Sequence, residues 1–161
     1  MKGYPMEYDE NDTVKSFFNR TIKNLNKYKR NHQKDSKKYP YDVTQTINSF
    51  LGIIVLMQQH SRIKYENIRI SNIIKKAHYG HKTKGKTVND FFRHLRNSLA
   101  HGHFLSDQYT KDGEIAALKF QDFTQQGDLI FEVVLSISDM NKIISEIKKS
   151  TFNRSEERRV G

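Results

Sequence analysis

The chain has no cysteine, no tryptophan and only two prolines among its 161 residues. Without cysteine there is no disulfide, no thiolate metal ligand and no cysteine nucleophile. Long apolar runs are also missing. The longest is Ile53–Met57, whereas a membrane helix needs about 20 such residues, so no membrane association is expected. Met1–Asp12 shows no signal-peptide pattern, and with no disulfides the expected location is the cytoplasm. Acidic residues are outnumbered, 18 Asp+Glu against 28 Lys+Arg, for a formal charge of +10. Such an excess favours an anionic partner such as RNA.

What is present suits one compact domain. Hydrophobic residues make up 35% of the chain and aromatics 11%, enough for a core and too much for a disordered chain. The segment Arg154–Gly161 reads RSEERRVG and resembles translated sequencing adapter. It holds three of the nine arginines in a chain otherwise dominated by lysine. Setting it aside as a non-native tail leaves residues 1–153 as the domain, with 25 basic and 16 acidic residues and a charge of +9. The native C-terminus is then expected to be missing.

Apolar periodicity predicts five helices and one hairpin. Asp12–His32 carries Val14, Phe17, Phe18, Ile22, Leu25 and Tyr28 on one face. Asp42–His60 is apolar nearly all round in its middle, as expected of a central helix. Glu66–His78, with Ile68, Ile70, Ile73, Ile74 and Ala77, reads as a shorter helix. Thr87-Val-Asn-Asp90 has capping-box spacing and opens a helix with Val88, Phe91, Phe92, Leu95 and Leu99 as its apolar stripe. Gly102 is its stop signal. Glu114–Asp122 and Asp128–Ser136, separated by Thr124–Gly127, read as a β-hairpin. Ser138-Asp-Met-Asn141 begins the last helix, with Met140, Ile143, Ile144 and Ile147 on one face.

Phe91–Gly102 reads FFRHLRNSLAHG, in which Arg96 and His101 stand as R-x-x-x-x-H with Asn97 directly after the arginine. This resembles the signature of the HEPN superfamily, an arginine and a histidine a few residues apart with a polar residue following the arginine. The flanks YDVTQTINSFLGIIVL (Tyr41–Leu56) and IAALKFQD (Ile115–Asp122) resemble one small HEPN family known from bacterial plasmids. The resemblance implies a mainly α fold, a HEPN-like four-helix bundle with an extra helix and the β-hairpin attached, which forms a homodimer. It also implies a metal-independent endoribonuclease, needing no cofactor, in which Arg96, Asn97 and His101 form the site. A toxin-like or phage-defence role in a prokaryote or its mobile elements, with an antitoxin or other regulatory partner, would follow.

The residue chemistry agrees. An RNase without metal needs a proton acceptor for the ribose 2′-OH, a proton donor for the leaving oxygen and a cation for the phosphorane. Histidine exchanges protons near neutrality, and arginine offers a permanent charge and a planar fork of donors to phosphate. Five residues on an ideal helix turn through about 500°, so Arg96 and His101 diverge by roughly 140°. They converge only if the helix frays near His101 or if a second chain supplies the missing group. Asn97 either positions Arg96 or the phosphate, or faces solvent. His94 is expected at the surface, and His103 is the next nearest candidate for a second proton carrier. The alternative is a non-catalytic HEPN module that binds RNA or a partner protein. In that reading Arg96 is a surface cation and His101 a helix-terminal histidine favoured by the dipole.

Two further patterns need weighing. Gly80–Thr87 (GHKTKGKT) matches the P-loop letter for letter, but Lys75–Tyr79 before it does not read as a buried strand, and a P-loop belongs to a parallel sheet. A basic loop is favoured, with Lys82, Lys84 and Lys86 as RNA-phosphate contacts. The histidine pairs His78/His81 and His101/His103 lack the carboxylates or the regular spacing of a zinc site, so no metal is expected.

Overall fold

The computed structural model describes residues 13–58, 65–80 and 87–151. The chain divides into two compact units, residues 1–60 and 61–161. In the first, α1 (Thr13–Lys34) buries Phe18, Ile22 and Leu25, a single stripe at three- and four-residue steps. It packs on α2 (Asp42–Gln58), which begins with Asp42 at the positive end of its dipole. Thr46, Phe50, Ile53 and Ile54 of α2 are buried, but Val55 is 44% exposed. The apolar middle of the helix is therefore buried on one side and reaches the surface at Val55. The connection between the two helices is tied to α1. The Tyr41 amide donates to the Tyr28 hydroxyl at 3.2 Å, and His32 Nδ1–H donates to the Tyr39 carbonyl at 2.7 Å.

The second unit departs from the expected single hairpin. It contains a four-stranded antiparallel sheet in the order β1-β4-β3-β2. The strands are β1 (His78–Tyr79), β2 (Phe104–Tyr109), β3 (Ile115–Phe123) and β4 (Leu129–Ser136). The hairpin β3–β4 lies where alternation and the Thr124–Gly127 turn place it. β1 and β2 extend it on either side. The helix expected over Glu66–His78 shrinks to a 3-10 turn, Tyr65–Asn67, and one short helix, α3 (Ser71–Ile74). Ile68 and Ile70, both buried, are two residues apart, a spacing an extended chain satisfies and a helix does not. His78 and Tyr79 leave the helical pattern to pair with Glu132 and Phe131.

Two longer helices complete this unit: α4 (Val88–Ala100), which packs on β3, and α5 (Ile137–Thr151), which packs on β4. Helix is thus the main component, as expected, beside a sheet larger than a hairpin. One sheet face is apolar by register. Leu118 lies opposite Leu135, Phe120 opposite Val133 and Asp122 opposite Phe131, and all six are buried. On the other face Gln121 lies opposite Glu132, and its Nε2 donates to Glu132 Oε2 at 2.7 Å. α5 starts one residue earlier than Ser138 because Ser136 caps it. The Asp139 amide donates to Ser136 Oγ and the Ser136 amide to Asp139 Oδ2, both at 3.0 Å, a reciprocal capping box.

Candidate active site on helix α4

Thr87 caps α4 as expected, its Oγ1 accepting from the Asp90 amide at 3.1 Å. The Asp90 carboxylate pairs with Arg93 at 3.1 Å. The buried stripe of α4 is Phe91, Phe92, His94, Leu95 and Ser98. Arg96 and Asn97 are half-buried at its margin, and His101 and His103 are exposed beyond its end.

His94 is the principal correction to the sequence reading. It is not a surface residue but only 2% exposed. Its ring stacks on Phe131, with centroids 4.8 Å apart and planes 9° apart. Its Nδ1 lies 2.8 Å from Asp122 Oδ2. A carboxylate can only accept, so Nδ1 carries the hydrogen. The same oxygen accepts from Asn97 Nδ2 at 3.2 Å. Asn97 therefore does not simply face solvent. Ser98 Oγ, one turn on from His94, donates to the His94 carbonyl at 2.8 Å.

Asp122 was not singled out by the motif, although the sequence held a signal for it. Leu118, Phe120 and Asp122 alternate along β3, and the first two are core residues, so Asp122 occupies an inward position. A carboxylate there requires donors from the element packed above. Two polar atoms of the same region have no hydrogen-bond partner among the described residues: His94 Nε2 and the Tyr79 hydroxyl. Burial, and then the negative charge of Asp90, push the Tyr79 hydroxyl up to about 12.

The exit of α4 is closed and not frayed. Gly102 adopts φ +68, its amide donates to Leu99 O at 3.2 Å, and the His103 amide donates to Ser98 O at 2.7 Å. This is a Schellman motif, in which the left-handed residue is glycine for want of a Cβ. The His101 amide donates to Asn97 O at 3.1 Å, so the backbone remains helical in its bonding up to the motif histidine. Strand β3 then clamps the turn: the Gln121 amide donates to His103 O at 2.9 Å. The Phe123 ring meets the His103 ring edge-on at 4.9 Å. The His101 and His103 rings lie 6.0 Å apart. Gln121, Asp122 and Phe123 in succession thus hold the far end of the motif.

Lys82, Lys84 and Lys86 lie outside the described residues, as does His81. A strand, β1, does precede Gly80–Thr87, but its two residues are exposed and half-buried, in line with the reading that no buried strand stands there. It is a two-residue antiparallel strand at the sheet edge, not the parallel strand that a P-loop follows. No group of three or more His, Asp or Glu positioned for a metal occurs among the described residues. No helix among them is long and apolar enough to cross a membrane.

A basic, mainly helical chain with R-N-x-x-x-H at the closed end of a helix fits the HEPN class. Residues 4–158 match the family described as HEPN pEK499 p136, and the chain belongs to that family. No curated protein and no solved structure matches it.

Proposed function

We propose that this protein is a metal-independent endoribonuclease that cleaves RNA by attack of a ribose 2′-OH on the adjacent phosphate. His101 takes the 2′-OH proton, and Arg96 stabilises the charge that gathers on the phosphorane. The P–O5′ bond breaks as the leaving oxygen takes a proton from the second histidine, His103, and the products are a 2′,3′-cyclic phosphate and a free 5′-OH. The observation that carries this reading is the Arg96-Asn97…His101 motif within a chain of HEPN family. The arrangement of its side chains supports it. Arg96 makes no hydrogen bond or ion pair among the described residues, and His101 is exposed, so both are available to an RNA strand.

The two groups leave α4 about 140° apart, and the Schellman cap opposes the fraying that would bring them together. A homodimer that combines Arg96 of one copy with His101 of the other supports chemistry at one phosphate. No cofactor is required by this reaction. RNA is the partner, and an inhibitory protein is the natural companion of such an activity in a cell.

The test is cleavage of an oligoribonucleotide by the full chain. The same oligonucleotide with a single 2′-deoxy substitution at the mapped site should be resistant, and His101→Ala should abolish cleavage. Arg96→Ala should lower kcat by about 10²–10³-fold, the usual effect of losing one electrostatic donor. Products bearing 5′-phosphates, or normal cutting at the deoxy position, would reject the mechanism. Binding of RNA without cleavage would favour the non-catalytic module.

A further inference from the structure

We propose that Asp122 is the positioning residue of this site. It fixes the Asn97 carboxamide with its NH2 group inward, so that Asn97 Oδ1 is the acceptor offered to a ring N–H of His101, whose other ring nitrogen takes the 2′-OH proton. The inference rests on the ribonuclease reading and adds a residue from outside the motif, on a different element.

The carboxylate decides the orientation of the amide. Asp122 Oδ2 cannot donate, so of the two ends of Asn97 only Nδ2 can face it, and it does so at 3.2 Å. Asp122 is itself held firmly. It is 3% exposed, lies on β3 opposite Phe131, and receives His94 Nδ1–H at 2.8 Å on the same oxygen. The stacking of His94 on Phe131 fixes that ring in turn. A buried carboxylate with two converging donors has little freedom, and neither has the amide it orients.

Asn97 Oδ1 has no hydrogen-bond partner among the described residues, and Asn97 is half-buried at the margin of the helix. Helical spacing puts Asn97 on the same face as His101, four residues on. Arg96 directly precedes Asn97, and the Asn97 main-chain carbonyl accepts the His101 amide at 3.1 Å. An acceptor for one ring N–H of His101 fixes the tautomer that leaves the other ring nitrogen free to take the 2′-OH hydrogen.

The test compares wild type, Asp122→Leu, Asn97→Ala and the double variant on one oligoribonucleotide, with kcat and KM measured separately. Asp122→Leu keeps the side-chain size but offers no oxygen, so nothing holds the NH2 group of Asn97 inward. Each single variant is expected to lower kcat by about 10²-fold with KM little changed, as for a misplaced reacting group. The double variant should be no slower than the slower single one, because both changes remove the same effect. Multiplying effects, or a rise in KM alone, would overturn the proposal. If Asp122→Leu fails to fold, as judged by thermal melting, Asn97→Ala decides: it leaves the His94–Asp122 bond intact, and wild-type kcat in it overturns the proposal. Cleavage that His101→Ala abolishes but that neither variant slows rejects the positioning role alone. Absence of cleavage in wild type rejects the ribonuclease reading and the positioning role with it.

Discussion

Single side chains carry the site in opposite ways, some by exposure and some by burial. Arg96 and His101 are legible because a motif names them. His94 and Asp122 are legible only as a pair. A histidine at a stripe position three residues after Phe91 has no reason to be buried until a carboxylate faces it, and the strand that brings Asp122 lies 28 residues further on. Their coupling is strong enough to test. His94→Ala leaves a buried carboxylate with Asn97 as its remaining donor and opens a cavity beside Phe131. The expected loss is about 3 kcal/mol, read from urea unfolding. Tyr79→Phe should act in the other direction. The Tyr79 hydroxyl is buried without a partner among the described residues, so its removal relieves a desolvation penalty and should stabilise by about 1 kcal/mol. A destabilised Tyr79→Phe would mean that the hydroxyl has a partner in solution.

At the scale of elements, α4 and the β3–β4 hairpin follow from local signals: a Thr cap, a glycine stop, and alternation across a turn. β1 and β2 do not. β1 has two residues, and β2 (FLSDQY) lacks alternation and is distorted at Asp107, so its strand character comes from pairing with β3. The stretch before β1 lost its helix because Ile68 and Ile70 are both buried at a two-residue spacing. Gly102 illustrates what a local signal can fix. A Cβ there would meet nothing within 4 Å, so Gly102→Ala tests the left-handed backbone alone. The expected cost is about 1–2 kcal/mol, together with slower RNA cleavage as His101 and His103 lose their cap.

The start of α5 carries a pH dependence. Burial would raise the Asp139 carboxyl, but hydrogen bonds from Lys76 and Ser136 and the charge of Lys76 outweigh it and hold the carboxyl below its ordinary value. Its stabilisation is therefore fully present above the unfolded value, about pH 4, and is lost as pH falls through the folded value. Asp139→Asn should remove that part of the acid limb in a plot of stability against pH while leaving the region above neutrality parallel to wild type.

For the whole molecule, the question is whether one chain suffices. A net charge of +10 favours polyanions at long range, screened by salt, and does not say how many copies act together. The divergence of Arg96 and His101 about one closed helix does bear on it, because a site drawing one group from each copy predicts complementation. Alone, Arg96→Ala is expected to keep about 1% of wild-type cleavage or less, and His101→Ala none. In a mixture that exchanges subunits, half of the dimers are heterodimers. Each heterodimer holds one site with both groups intact and one with neither. An equimolar mixture should therefore recover about a quarter of wild-type cleavage, after a lag set by subunit exchange. If each copy works with its own Arg96 and His101, every site in the mixture lacks one group and the mixture gains nothing over the single variants. Light scattering on the same samples separates the cases: a monomer at micromolar concentration excludes the shared site, and a dimer without complementation places both groups of each site within one chain.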